Sequence, residues 1–517
     1  MKFMKITLII IIVSVSVYAQ TDKNEAIKHI RSNLEFLAHD LLEGREATSR
    51  GARVASLYIA RELQKYGVKP FGDNGTYYQS FDMTLKGFVP GVKIELLKKN
   101  KEEMLFGEHF IISKRGMPDS SFAGIETDVV FAGYGITAEE FDYDDYENLD
   151  IKGKIVLLYD DMPESEDETI FNPKKHKKYI YWSTKRSIAQ EKGAIGVLII
   201  PTEQFMRSWL RYKNRADSPS FGLPDTTQKQ EEDEKLIPLV VLNNKGLSLL
   251  LADEDITTEE LLAGYGELTF PKYFTLKNKL KISYRTFTET RKARNVIGIL
   301  EGNDENLKNE FITIGGHYDH VGANGGNVYN GADDNGSGTV AILECARTLS
   351  AANDNERSIL FIFHTAEEKG LLGAKYLTNN VDWVSKAVVN INIDMVGRES
   401  VDSIHCIGSD KLSSELYELV EEINSDGDYF TLDYRFNAED DPNRYYYRSD
   451  HVHYVNKNIP IVFFYDYMRQ DYHKPTDTAE KINYTKIYKI TRLVHDLALT
   501  ISNLDHKLIV DKAKMKE

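Results

Sequence analysis

At 517 residues the chain exceeds what one hydrophobic core usually covers, so two domains are expected. Its composition, 42% hydrophobic and 28% charged without a low-complexity tract or short-period repeat, is that of a globular protein and excludes a solenoid or disordered scaffold. A formal net charge of −16 argues against nucleic acid as a partner, because phosphate binding needs a basic surface.

The N-terminus reads as an address. Lys2 and Lys5 precede the apolar run Ile6 to Val17, and Val17-Tyr18-Ala19 offers the small residues of a cleavage site. The run is shorter than the roughly 20 residues needed to span a bilayer. A secretory leader over residues 1–19 is therefore expected, with export to the periplasm or the extracellular space. No cysteine follows the site, so no lipid anchor is expected after leader removal. Only Cys345 and Cys406 are present, which rules out sulfur-rich zinc sites and leaves His and carboxylates as candidate ligands. Cys345 shares a helical stripe with Ala341 and Leu349 and reads as a buried free thiol.

Residues 24 to 66 carry apolar residues at helical spacing (Leu34, Leu37, Leu41 and Leu42, then Ala55, Tyr58, Ile59 and Leu63), and Gly67 closes the second helix. From about Phe81 to Tyr284 the pattern changes to short β-like runs separated by charged loops, with one helix predicted over Thr184 to Lys192. This stretch holds no cluster of potential ligands and reads as an insertion. From Arg294 onward strands and helices alternate. Strands are predicted over Val296–Leu300, Phe311–Ile314, Leu360–Phe363, Val388–Ile393 and Ile459–Phe464; helices over Ser337–Ser350, Glu368–Thr378, Leu412–Asn424 and Lys486–Ile501. That alternation implies an open, mostly parallel mixed α/β sheet with helices on both faces, in which ligands gather where the strands end. The expected organisation is 20–120 as the first part of a catalytic domain, 121–275 as a β-rich insert and 276–517 as the main part of the domain.

The polar residues that could bind metal fall at those strand ends. His317-Tyr-Asp319 follows the Phe311 strand, Glu367-Glu368 follows the Leu360 strand, Asp394 closes the Val388 strand, and His473 lies one short loop after the Ile459 strand. Asp333-Asp334 sits in a Gly-rich loop just before a helix. Each piece has a plain structural alternative. Thr365-Ala-Glu-Glu368 also matches a helix capping box, Asp333-Asp334 could complement a helix dipole, and His320 could replace His317 as the ligand. Together they fit a two-metal centre. Asp334 would bridge, with His317 and Asp394 on one zinc and Glu368 and His473 on the other, leaving each zinc an open position. Asp319 would accept a hydrogen bond from the second nitrogen of His317, and Glu367 would act as general base.

The motifs His317-Tyr-Asp319, Gly331-Ala-Asp-Asp-Asn-Gly-Ser-Gly338, Glu367-Glu368, Asp394-Met395 and Tyr472-His473 resemble the co-catalytic di-zinc aminopeptidases of the bacterial leucyl-aminopeptidase type. The resemblance covers roughly Arg294 to Leu504 and implies two zinc ions per chain, peptide substrates and Glu367 as the base. It also implies a cis peptide after Asp334, an oxyanion-stabilising Tyr472, and Arg448 and Met395 at the substrate. Phe131-Ala-Gly-Tyr-Gly135, Asp150-Ile-Lys-Gly-Lys-Ile-Val156 and Lys192-Gly-Ala-Ile-Gly-Val197 are similar to a protease-associated domain. The loop from Asn437 to Tyr447, acidic and then tyrosine-rich, matches no pattern of the family. A glutaminyl cyclase, a carboxy-directed peptidase and a non-catalytic peptide receptor are the competing readings on the same scaffold.

Overall fold

The structure is a computed structural model and describes residues 23–97, 102–114, 122–124, 126–163, 171–172, 175–224, 236–266, 273–467 and 470–513. The leader expected over 1–19 lies outside the described residues. Among the described residues no helix is long and apolar enough to cross a membrane. Contacts divide the chain into two units, Met1–Met83 with Arg291–Glu517, and Thr84–Thr290.

The larger unit is built on seven strands of a mixed sheet: β1 (Thr286–Leu300), β2 (Phe311–His317), β3 (Ser358–His364), β4 (Ala387–Asp394), β5 (Ser403–Ile407), β6 (Thr431–Asp433) and β7 (Ile461–Tyr465). Their order across the sheet is β1-β3-β2-β4-β7-β5-β6. The four central strands β3, β2, β4 and β7 run parallel, while β1 and β5 join them antiparallel. All seven residues of β2 and of β3 are buried, as their unbroken β-branched and aromatic runs require of strands covered on both faces.

Helices cover both faces. A helix over 23–37 (α1), α2 (Arg50–Lys65), α3 (Gly338–Ala352), α5 (Ser414–Gly427) and α6 (Tyr484–Ser502) bring Leu34, Ile59, Ile342, Leu416 and Leu493 into one core with Ile314, Phe361, Ile391 and Phe464. Cys345 and Cys406 are buried in that core as free thiols. On the other face, Leu377 of α4 (Leu372–Asn380) and Tyr454 pack against Leu360, Ile362 and Phe463. Each fully buried Leu, Ile or Phe in these cores contributes about 1.5–3 kcal/mol, so strand ends anchored there are held rigidly.

The smaller unit has its own core, in which Phe110, Phe131, Leu157, Leu198 and Val240 are buried. Val129–Phe131, Ile155–Tyr159, Gly196–Ile200 and Leu239–Leu242 form a parallel block. By its contacts this unit runs from Thr84 to Thr290. Lys93–Leu97 pairs with Lys279–Tyr284, and Phe110–Ile112 pairs with Leu239–Leu242, so these two strands fold within this unit.

Candidate metal centre and active site

The parallel strands deliver the site at their C-terminal ends. His317 is the last residue of β2 and Asp394 the last of β4, two strands that are neighbours in the sheet. Glu367 and Glu368 lie in the turn after β3, and His473 in the loop after β7. Helix α4 begins only at Leu372, with Leu371 at its cap, so Glu368 caps no helix and the capping-box reading of Thr365–Glu368 is set aside.

The loop carrying Asp334 is fixed by three separate ties. Residues Ala332–Ser337 form one wide π-type turn entered through Gly331 at φ 55, and the Asp334–Asn335 peptide is cis. The buried carboxylate of Asp477 accepts the backbone N–H groups of both Asp333 and Asp334. Asn335 donates from its side chain to the carbonyl of Ile393 and accepts from the N–H groups of Gly338 and Met395. The loop is thereby fastened beside Asp394. Gly316 makes room for this approach, since a Cβ there would lie 2.4 Å from the carbonyl oxygen of Ile393. Thr339 at the start of α3 donates to the carbonyl of His317.

Two donor groups result, and they share Asp334. One comprises His317, Asp334 and Asp394; the other His320, Asp334, Glu368 and His473; within each group the donor atoms lie within 4.8 Å of one another. His317 Nε2 is 3.2 Å from Asp394 Oδ1 and 3.6 Å from Asp334 Oδ1. His473 Nε2 is 3.0 Å from Glu368 Oε2 and 3.2 Å from Asp334 Oδ2. Buried Asp334 Oδ2, Glu368 Oε1, His473 Nε2 and both ring nitrogens of His320 have no hydrogen-bond partner. Buried polar atoms left without partners cost about 1–3 kcal/mol each. Carboxylate and imidazole donors converging on two volumes about a common carboxylate fit a pair of borderline cations such as zinc.

Burial and neighbouring charges shift these groups in opposite senses. Burial lifts the Glu367 carboxyl well above the ordinary range, and Glu368, Asp394 and Asp450 reinforce the shift against His317. Burial would also raise Glu368, but His320 and His473 overrule it and hold that carboxyl well below the ordinary range. His473 is pushed up to about 10, burial opposing and Asp334 and Glu368 prevailing. Burial pushes the Asp319 carboxyl up to about 6.

A cavity of about 240 Å³ opens over the donors and is lined by His317, Asp334, Glu367, Glu368 and Asp394 together with Met395, Arg448 and Tyr472. His473 stands beside it, its ring stacked on Tyr472 at 3.9 Å. Asp319 does not line the cavity. His317 Nδ1 faces the backbone carbonyl of Asp319 at 3.1 Å, whereas the Asp319 carboxylate is 3.8 Å away and accepts the N–H of Glu367 instead. The carbonyl of Asp319 is thus the nearer acceptor for an Nδ1–H of His317, and the carboxylate holds the backbone of Glu367. Ser449 Oγ donates to Asp394 Oδ2 at 2.8 Å.

Sequence reasoning missed several contributors. Asn443, Tyr445, Phe463 and Tyr465 also line the cavity, two of them from the tyrosine-rich loop that matched no pattern. Arg45 is 1% exposed, and its guanidinium donates to the carbonyls of Leu37, Tyr318, Asn330 and Gly331, joining the N-terminal segment to both metal-site loops. Its signal in the sequence is faint: Glu43, Gly44 and Arg45 all have positive φ, and only the glycine advertises it.

An open, mostly parallel α/β sheet with a cluster of His and carboxylate donors at its strand ends defines the class. Residues 295–498 match peptidase family M28. The chain is 34% identical over 126 residues to aminopeptidase YwaD of Bacillus subtilis (strain 168), covering 24% of this chain and 26% of that one. It is 27% identical over 247 residues to leucine aminopeptidase 2 of Trichophyton rubrum, covering 40% and 44%. The chain thus spans between a quarter and six tenths of the length of these curated relatives and of a leucine aminopeptidase of Arthroderma otae. Among solved structures, the fold is shared with the aminopeptidase from Aneurinibacillus sp. strain AM-1 (TM-score 0.57, 19% identity, 94% of this chain and 96% of that one). It is shared too with BSAP, a zinc aminopeptidase from Bacillus subtilis (TM-score 0.51, 20% identity, 91% and 94%). The match to the M28 model thus falls on the segment that carries the sheet and the donor residues, and the solved structures share the fold.

Proposed function

We propose that this chain is an exported, two-zinc aminopeptidase that hydrolyses the N-terminal peptide bond of peptides. The observation that carries the reading is the pair of donor groups sharing Asp334, with Glu367 beside them and bound to neither. His317, Asp334 and Asp394 would hold one zinc, and Asp334, Glu368 and His473 the other. Bound there, zinc would supply Lewis-acid polarisation of the scissile carbonyl and of water.

The remaining work falls to side chains. Glu367 Oε2 lies 3.9 Å from His317 Nε2, and Glu367 lines the cavity over the donors. Its carboxylate takes a proton from the attacking water and delivers it to the leaving nitrogen as the C–N bond breaks, so the base emerges unchanged. A positioned base of this kind contributes about 10²–10⁴-fold to rate. Tyr472, Met395 and Arg448 line the same cavity; the Tyr472 hydroxyl would serve the carbonyl oxygen, and Met395 and Arg448 would border the bound residue. The names of the relatives, among them leucine aminopeptidases, support this reaction class. The leader read over residues 1–19 supports export, and the motifs of the smaller unit support its reading as a protease-associated insert.

A panel of aminoacyl chromogenic amides, assayed with and without a zinc chelator, tests the proposal. Chelator-sensitive cleavage that requires a free α-amino group is expected. Cyclisation of an N-terminal glutamine peptide without amide cleavage would contradict it.

A further inference from the structure

We propose that His320 supplies a fourth protein donor to the metal held by Asp334, Glu368 and His473, so that one half of the centre is closed by protein while the half at His317 stays open. The inference rests on the two-zinc reading and divides that centre into two unequal sites.

His320 is fully buried. Its Nδ1 lies 2.9 Å from Glu368 Oε1 and 3.7 Å from Asp334 Oδ2, yet neither ring nitrogen is hydrogen-bonded. Close approach without hydrogen-bond alignment is what donors show when they face a common third atom. The ring also stands nearly perpendicular to that of His473, with centroids 5.5 Å apart and planes at 76°, so the two imidazoles meet edge to face about the shared carboxylates.

The surroundings hold the ring in place. The His320 N–H donates to the carbonyl of Arg45, whose guanidinium is locked on four further carbonyls. Against the ring sits Gly331, where a Cβ would lie 2.5 Å from His320 Cγ. Among the described residues no comparable fourth group joins His317, Asp334 and Asp394. Four protein donors are the mark of a closed structural zinc site and three that of a catalytic one. The His320 half should therefore bind zinc more tightly, fill first and exchange slowly. The His317 half should keep the position where water and substrate enter.

The test begins with the full-length protein stripped of metal. One equivalent of Zn²⁺ is added, and X-ray absorption counts the imidazoles around it. Two are expected, from His320 and His473, and one in His320→Ala. Calorimetric titration with Zn²⁺ should show two wild-type sites, with the tighter one weakened in His320→Ala by more than the roughly 10–100-fold that follows loss of an outer hydrogen-bonding partner. One imidazole in the wild-type one-zinc protein overturns the proposal without needing the variant to fold, as does a fall within 10–100-fold. A wild-type chain that binds fewer than two zincs would instead sink the two-zinc reading.

Discussion

Glu367 and Glu368 are adjacent in the chain, yet their carboxylates face different histidines: Glu367 Oε2 lies 3.9 Å from His317 Nε2, and Glu368 Oε2 lies 3.0 Å from His473 Nε2. The turn after β3 makes this divergence possible, because no helix begins until Leu372 and the two side chains are not constrained to a helical surface. The Asp319 carboxylate fixes the turn by accepting the Glu367 N–H. One short turn therefore aims two adjacent carboxylates at two different histidines.

Tyr472 tests how the cavity treats the carbonyl oxygen. Its ring is stacked on His473, so Tyr472→Phe should keep the ring, the fold and the zinc content. Loss of one oxyanion donor typically costs about 10²–10³ in kcat. Steady-state kinetics should show that fall in kcat with little change in KM.

Arg45 is predicted to hold the two metal-site loops together. Replacing it with Met would leave the carbonyls of Leu37, Tyr318 and Asn330 without this donor, while that of Gly331 keeps the N–H of Gly336. At about 1–3 kcal/mol per unsatisfied group, a loss of at least about 3 kcal/mol is expected. Arg45→Lys should recover only part of it, because an ammonium cannot reach four carbonyls as a planar fork does. Urea denaturation monitored by circular dichroism measures both.

Gly331 provides a test of local space. A Cβ there would lie 2.2 Å from the carbonyl oxygen of Asp334 as well as against His320, so Gly331→Ala should lower both zinc content and melting temperature. Gly325 has a similar φ of 59 but open space around it. Gly325→Ala should cost only the roughly 1–2 kcal/mol of a left-handed residue and leave zinc content unchanged. Metal analysis of the two variants separates crowding of the site from backbone preference.

The sheet was legible because its central strands are fully buried and announce themselves as short β-branched runs. His317 and Asp394 were legible because they terminate two of those runs. Glu368 was ambiguous until the start of α4 was known, since a capping box and a metal ligand look alike in sequence. Asp477, Asn335 and Arg45 carried no such signal. They act on backbone amides and carbonyls of segments distant in the chain, and neither periodicity nor spacing records that. For the same reason the pairing of Lys93–Leu97 and Phe110–Ile112 carried no signal in the sequence: their strand partners lie more than a hundred residues later. The cavity lining from Asn443 and Tyr445 was hidden in a loop whose shape depends on Asp441, which accepts the N–H groups of both residues.

The most direct measurement of the central claim is kcat and zinc content together in Glu367→Gln, set against Glu368→Ala. Gln is nearly isosteric with Glu but cannot accept the proton, and Glu367 belongs to neither donor group. Glu367→Gln should retain two zincs per chain and roughly unchanged KM while kcat falls about 10²–10⁴-fold, kcat/KM falling with it. Glu368→Ala should lose zinc as well as rate. Near wild-type kcat in a fully metallated Glu367→Gln variant would contradict the account.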